Sequence, residues 1–223
     1  MWAEHTAQFG LPVFVAITHG DTANVLTAEK HGLRFATMPN NPVGAKFQAA
    51  LDMALAGGCD RIMILGSDDF VSREWIDRAQ TFDAAYFTPD SCAVHDPRKG
   101  TYLVRFNGRS VASGGAGRVV GAHAARKAGG LWMRDRNRAL DSESHSRLTA
   151  AGYSCKVVPC KRIPVVDVKT GVNIWGYDQW RRHGHKCSTD EALWMVAPDV
   201  QERLATACVQ APRPTSRPVA RLG

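Results

Sequence analysis

No Cys-x-x-Cys pair occurs in this chain, although it holds six cysteines, at 59, 92, 155, 160, 187 and 208. Nor do the basic, apolar and small residues of a signal peptide appear in order at its start, so reduced thiols and a cytoplasmic location are expected. No apolar run is long enough to span a bilayer, which excludes a membrane-spanning helix. No internal repeat is visible. The glycine-rich Gly115-Ala116-Gly117-Arg118 lacks the spacing of a dinucleotide fingerprint. His183-x-His185-x-Cys187 offers zinc donors, but its spacing fits no familiar finger and it lies in a stretch read as a basic loop.

The charge balance is informative. The 223 residues carry 28 Lys and Arg against 21 Asp and Glu, a formal charge of +7, which favours a polyanionic partner such as a nucleotide or nucleic acid. Length and composition suit one soluble domain over 1–210. Residues 211–223 hold three prolines and three arginines and are expected to be a disordered basic tail.

The organising stretch is Arg61 to Phe70. Ile62 to Leu65 is an apolar run bounded by turn residues, which predicts a strand covered on both faces. Asp68 and Asp69 then fall where that strand opens into a loop. Ligands in open α/β sheets bind outside the carboxyl ends of strands, and two acids there make a hard oxygen site for Mg²⁺ or Mn²⁺. The competing reading is that Ser67-Asp68-Asp69 caps a helix starting near Ser72.

Before this stretch the pattern predicts a strand at 13–17, a short helix at 24–31 and a strand at 34–37. A helix follows, with Pro42 at its first position and Val43, Phe47, Ala50, Leu51 and Ala54 as its apolar stripe, stopped by Gly57-Gly58. Alternating strands and helices imply a parallel sheet with crossover helices. The second half reads differently. It predicts strands at 84–87, 101–106 and 109–112, the last two forming a hairpin about Asn107-Gly108. A helix is expected from Leu140 to Gly152, strands at 156–159 and 163–168, and a closing helix from Asp190 to Cys208.

Four features stand in order: Asn40-Asn41-Pro42-Val43-Gly44-Ala45-Lys46-Phe47; Leu65-Gly66-Ser67-Asp68-Asp69; Gly115-Ala116-Gly117-Arg118; and Leu140-Asp141-Ser142 with Val166-Asp167-Val168-Lys169 beyond. Together they resemble the nucleotide-sugar glycosyltransferases of the GT-A fold, in particular a small family-2-like group of bacteriophage and bacterial genomes, over residues 10–180. The resemblance implies a Rossmann-like, mostly parallel sheet flanked by helices, with a mixed C-terminal half. Members usually open with a further strand and helix, and the chain is expected to start inside that helix: either the true start lies upstream or the first strand is missing.

The resemblance also implies roles. Asp69 is the better ligand for Mn²⁺ or Mg²⁺, and Asp68 faces the ribose or shares the ion. Lys46 contacts nucleotide or sugar, or is a solvated surface lysine. Asp141 takes the acceptor's proton, with Glu143 as fallback, or Asp141 is only a helix cap. Gly117 and Arg118 border a bound anion, or form a plain turn. Lys169 meets the diphosphate, or is a strand-edge charge. Trp175, Tyr177 and Trp180 with Arg181 and Arg182 stack on bases or sugars, or are core aromatics beside a solvated turn. The activity implied is hexosyl or pentosyl transfer from a nucleotide-sugar donor to a hydroxyl. Two alternatives are a nucleotidyltransferase using the same Asp pair and a non-catalytic nucleotide or nucleic-acid binding module. The resemblance places the acceptor against the second half, where arginines are concentrated, and so implies DNA bearing a hydroxylated base as acceptor, or the arginines only solubilise the surface. A polysaccharide, a lipid-linked sugar and a protein hydroxyl are the others.

Overall fold

The computed structural model describes residues 2–106, 114–169, 177 and 182–210. The expected hairpin turn at Asn107-Gly108, Trp175, Trp180, Arg181 and the 211–223 tail lie outside the described residues.

Helix α1 (Trp2–Ala7) precedes strand β1 (Phe14–Thr18), helix α2 (Thr22–Lys30) and strand β2 (Arg34–Met38). Asp21 starts α2, where its carboxylate accepts the Asn24 amide at 3.2 Å, as expected of a preferred capping residue. β1 and β2 pair in parallel from Phe14↔Arg34 to Thr18↔Met38. Helix α3 (Val43–Ala56) covers β1 and β2. Pro42 stands one place earlier than expected, as the cap, and Gly57 ends the helix. Among its buried residues is a polar one, Gln48, whose Oε1 accepts the amides of Leu131 and Trp132 at 3.0 and 3.1 Å.

Strand β3 (Arg61–Ile64) departs from the crossover order. It pairs antiparallel with β8 (Arg118–Gly121), in a sheet ordered β3-β8-β5-β9, where β5 is Tyr86–Pro89 and β9 is Lys156–Val158. The third sheet is ordered β11-β7-β6-β10-β4: β4 is Asp69–Val71, β6 Ser91–Asp96, β7 Gly100–Arg105, β10 Val165–Val168 and β11 Gly184–Cys187. β10 runs parallel to β6 and antiparallel to β4. Parallel and antiparallel ladders thus occur together, and this mixed α/β architecture is the class that the resemblance implies.

Several boundaries differ from expectation. β3 stops at Ile64, so Leu65 belongs to the turn, and Asp69 opens a strand of its own rather than a loop. Ser72 caps helix α4 (Arg73–Thr81) by accepting the Trp75 amide at 3.1 Å, so no capping of that helix falls to Asp68 or Asp69. Helix α5 (Ala122–Lys127) follows β8, and α6 (Leu140–Ala150) lies where a helix was expected. The single closing helix is in fact two, α7 (Thr189–Leu193) and α8 (Pro198–Gln210). Pro198 has no N–H to continue a helix and clashes with one running into it. The stretch containing His185 is no basic loop but the edge strand β11, paired with β7.

The main core joins α4 to the sheets through Trp75, Phe87, Val119 and Val165, all essentially inaccessible. A second core packs Phe70, Val166 and Val168 beneath α7 and α8 through Leu193, Val196 and Leu204. β4 and β10 therefore have apolar packing on both sides. α1 is tied to the same place, since His5 Nε2 lies 2.7 Å from the Val71 carbonyl. Among the described residues no helix is long and apolar enough to cross a membrane, and Cys59, Cys92, Cys155, Cys160 and Cys187 are free thiols.

Candidate active site

The site is built on one antiparallel register. β4 and β10 pair so that Asp69 stands directly opposite Asp167, with Val71 opposite Val165. The Val168 amide donates to the Asp68 carbonyl at 2.9 Å, which holds the preceding turn against the same strand. Carboxylate oxygens of Asp68, Asp69 and Asp167 consequently lie within 4.8 Å of one another. Asp69 is buried, and its Oδ2 accepts the Gly66 amide at 2.5 Å. Oδ1 of Asp167 is buried without a hydrogen-bond partner among the described residues.

Lys169 brings a cation into contact with this cluster. Its Nζ lies 2.6 Å from Asp167 Oδ2 and 3.5 Å from Asp68 Oδ2, and the residue is 5% exposed. Burial alone lowers its pKa, but Asp167 and Asp68 outweigh burial and hold it raised. Burial, then the charge of Asp68, pushes the Asp69 carboxyl up to about 7, against the opposing pull of the Gly66 amide and Lys169. Burial and Asp69 likewise raise Asp167. Like charges this close resist ionising together.

These residues fit a divalent cation. All three donors are hard carboxylate oxygens, the class that suits Mg²⁺ and Mn²⁺. One ligand atom is buried with no partner, and such an atom calls for an explanation. When all three carboxyls are ionised, three carboxylates less one ammonium leave two negative charges, which a divalent ion neutralises. Asp167 was not singled out as a ligand from the sequence. The available signal was a carboxylate inside the apolar run Val165 to Val168, every residue of which is buried.

Asp141 is within electrostatic reach of the same cluster. Its charge raises Asp69, and Lys169 acts on it in turn. Burial raises the Asp141 carboxyl while Arg118 and Lys169 draw it back down. It does not cap α6: the cap is Ala139, in left-handed conformation (φ 57°), and it makes no side-chain capping bond. Asp141 sits within the first turn instead.

Two expected ligand contacts are placed otherwise. Arg118 is fully buried, not available at the surface for an anion. Its guanidinium donates to the carbonyls of Asp141 (2.9 Å) and Gly114 (2.8 Å) and to Ser144 Oγ (2.5 Å), so it braces α6 against the glycine-rich turn. Gly117 packs inward: its carbonyl accepts from Trp75 Nε1 at 2.9 Å, and a Cβ there would meet Val165 Cγ2 at 2.6 Å. The glycine that borders the site is Gly115, where a Cβ would collide with the Asp141 carboxylate. Glu143 is also engaged elsewhere. Its Oε1 accepts the Met133 amide at 2.7 Å and lies 3.5 Å from Arg147 Nε, making it a loop anchor.

Lys46 lies beside a separate opening. Its Nζ donates to Thr18 Oγ1 (3.0 Å) and Asn40 Oδ1 (3.4 Å), and burial lowers its pKa while Asp21 raises it. It lines a cavity of about 280 Å³ with Trp2, Thr18, Asp21, Asn24 and Ser67. Ser67, the residue before Asp68, is part of its lining.

No protein-family model matches the chain, and no curated protein matches it. Among solved structures, the chain is similar to a mannosyltransferase from Pyrobaculum calidifontis in complex with GDP-Man and Mn2+. Identity is 18%, the TM-score is 0.48, and the match covers 89% of this chain. The chain spans 65% of that protein's length. It is also similar to a putative glucose-1-phosphate thymidylyltransferase from Bacillus anthracis in complex with a sucrose, at 9% identity and TM-score 0.47, over 95% of this chain and 82% of the other.

Proposed function

We propose that this chain is a metal-dependent glycosyltransferase, moving a hexosyl or pentosyl group from a nucleotide-sugar donor to an acceptor hydroxyl. The observation that carries the reading is the Asp69–Asp167 register, which joins Asp68 in a three-carboxylate cluster within electrostatic reach of Asp141. Asp68, Asp69 and Asp167 hold Mn²⁺ or Mg²⁺. When bound, such an ion supplies Lewis-acid stabilisation of a diphosphate leaving group.

The chain's own groups do the rest. Lys46, Thr18 and Asp21 line the cavity that adjoins Ser67 and take the nucleoside end of the donor. Lys169 adds a fixed positive charge beside the diphosphate, in a buried setting where charge is poorly screened. The acceptor oxygen attacks the anomeric carbon. The bond from that carbon to the diphosphate oxygen breaks, and its electron pair leaves with the diphosphate. Asp141 takes the acceptor's proton, and burial makes its carboxylate a better base than an exposed one. Arg118 is a positioning residue, holding Asp141 through its backbone. The acceptor best suited to the basic surplus is a hydroxylated base in DNA.

The test is thermal unfolding with a panel of nucleotide sugars, with and without Mn²⁺, followed by product analysis. A donor stabilises the fold as the logarithm of its concentration over its Kd. Metal-dependent stabilisation with release of a nucleoside diphosphate is the expected result. Release of pyrophosphate would make the chain a nucleotidyltransferase, and binding without turnover would make it a binding module.

A further inference from the structure

Between Trp132 and α6 runs an exposed loop, Met133 to Ala139, carrying Arg134, Arg136 and Arg138. Exposed loops are ordinarily mobile, but this one is held at three points, and a fourth bond joins the residues that flank it. The Gly44 amide donates to the Arg136 carbonyl at 2.7 Å, and the Val43 amide to Asn137 Oδ1 at 2.9 Å. The Met133 amide is taken by Glu143, and Trp132 Nε1 donates to the Leu140 carbonyl at 3.1 Å. Gly44 lets the loop approach α3 this closely, since a Cβ there would collide with the Met133 carbonyl. Ala139, the one non-glycine residue with positive φ among those described, turns the loop into α6. A sparsely populated backbone conformation persists only where the surroundings enforce it.

This rigid support runs directly into α6, whose first turn carries Asp141, three residues after Arg138. Arg134 is occupied by Asp52 at 2.6 Å. The side chains of Arg136 and Arg138 are exposed and have no bond to a described residue. The same loop walls a groove of about 720 Å³ that Arg126 and Arg147 also line, against Asp52 and Asp135. Apolar exposure on this face is slight: Met133, at 39%, is its one exposed large apolar side chain, which gives neither a membrane insertion surface nor an apolar protein interface. Guanidinium forks match phosphate oxygens in geometry as well as charge.

We infer that Arg136 and Arg138 bind backbone phosphates of a nucleic-acid acceptor and so deliver its hydroxyl to Asp141. The inference rests on the proposed transferase reading. Its test compares the parent, R136Q/R138Q, and a charge-matched control, K30Q/R73Q, whose residues are exposed on α2 and α4. Anisotropy of a labelled DNA duplex is measured with the full chain from about 50 to 200 mM salt. The parent should bind with salt-sensitive affinity. R136Q/R138Q should lose about tenfold or more in affinity and flatten the log–log salt slope by roughly 2, as expected for two lost phosphate contacts. K30Q/R73Q should match the parent. Stabilisation by a nucleoside diphosphate with Mn²⁺ should be equal in all three, and its absence in the parent would count against the donor reading alone. The inference is overturned if the parent shows no salt-sensitive DNA binding, if both double variants weaken equally, or if phosphatidylserine vesicles capture the parent more tightly than DNA.

Discussion

Gly115 and Asp141 lie so close that not even a methyl group fits between them: a Cβ on Gly115 would overlap Oδ1 of Asp141. The glycine thus acts as a wall for the proposed base. Gly115→Ala must displace that carboxylate, because Arg118 holds the backbone behind it. We expect G115A to bind nucleotide and Mn²⁺ normally while losing transfer. Asp141→Asn should lose roughly 10²–10⁴-fold in rate, the usual span for removing a general base. Single-turnover rates with donor in excess would check both, and a fully active D141N would end the base assignment.

The carboxylate cluster should destabilise the metal-free fold. With its pKa raised to about 7, Asp69 contributes stability that is present below its unfolded value of 3.8 and lost as pH rises through about 7. At pH 8 the ionised cluster is therefore a liability. Asp69→Asn should raise metal-free stability there by roughly 1–3 kcal/mol, a discounted conversion of that shift, and abolish stabilisation by Mn²⁺. Urea unfolding with and without the ion reads both effects. A D69N variant that is less stable without metal and still responds to Mn²⁺ would refute the cluster's role.

Arg118 is expected to matter for stability before chemistry. Arg118→Met leaves the Asp141 and Gly114 carbonyls and Ser144 without their donor. Disrupting a buried charged network of this kind costs on the order of 3–5 kcal/mol. Arg118→Lys keeps the charge but cannot reach three acceptors at once, so it should fold, bind donor and turn over slowly. Equal kcat in R118K and the parent would remove its positioning role.

Acid should weaken the fold through two histidines. Burial lowers His5 and His95 below the ordinary 6.5, although the Val71 carbonyl and Asp96, respectively, raise them. The unfolded chain then binds more protons just below pH 6.5, so these residues contribute stability that is full above 6.5 and lost as pH falls through their folded values. Asp69 acts in the opposite direction, so the clean measurement is a difference. His5→Gln should flatten the parent's loss of stability between pH 7 and 5.5, and identical slopes would exclude His5.

Lys46→Ala tests the donor end. It removes a cation from the cavity wall beside Thr18 and Asn40 while leaving the carboxylate cluster intact. Nucleoside diphosphate affinity should fall several-fold with Mn²⁺ affinity unchanged, as titration calorimetry would show. An unchanged nucleotide Kd would return Lys46 to a surface role.

Much of the local structure was legible in the residues themselves. Asp21 is a capping residue, Gly57 stops α3, and the β1–α2–β2–α3 order follows from periodicity. These signals act within a few residues, so spacing reveals them. Pro198 was equally visible and should have split the closing helix. Position of the Asp68-Asp69 pair just beyond a strand was also readable from the sequence, and so was Asp141 near the start of α6.

Other features depended on contacts between distant parts of the chain. Asp167 joins Asp69 only through the β4–β10 register, and a one-residue slip would turn its side chain to the other face. Burial separates Arg118 from Arg136, two arginines that residue order alone does not tell apart. One is enclosed by Gly114, Asp141 and Ser144, while the other stands on an exposed loop. The choice between Gly115 and Gly117 was likewise made by which neighbour each backbone meets. Residue order alone was enough for the caps of α2 and α3, for strands such as β1 and β2, and for the acidic and basic chemistry available. Which of those charges face one another was decided by tertiary structure, because charges interact through distance and burial, neither of which is a property of residue order.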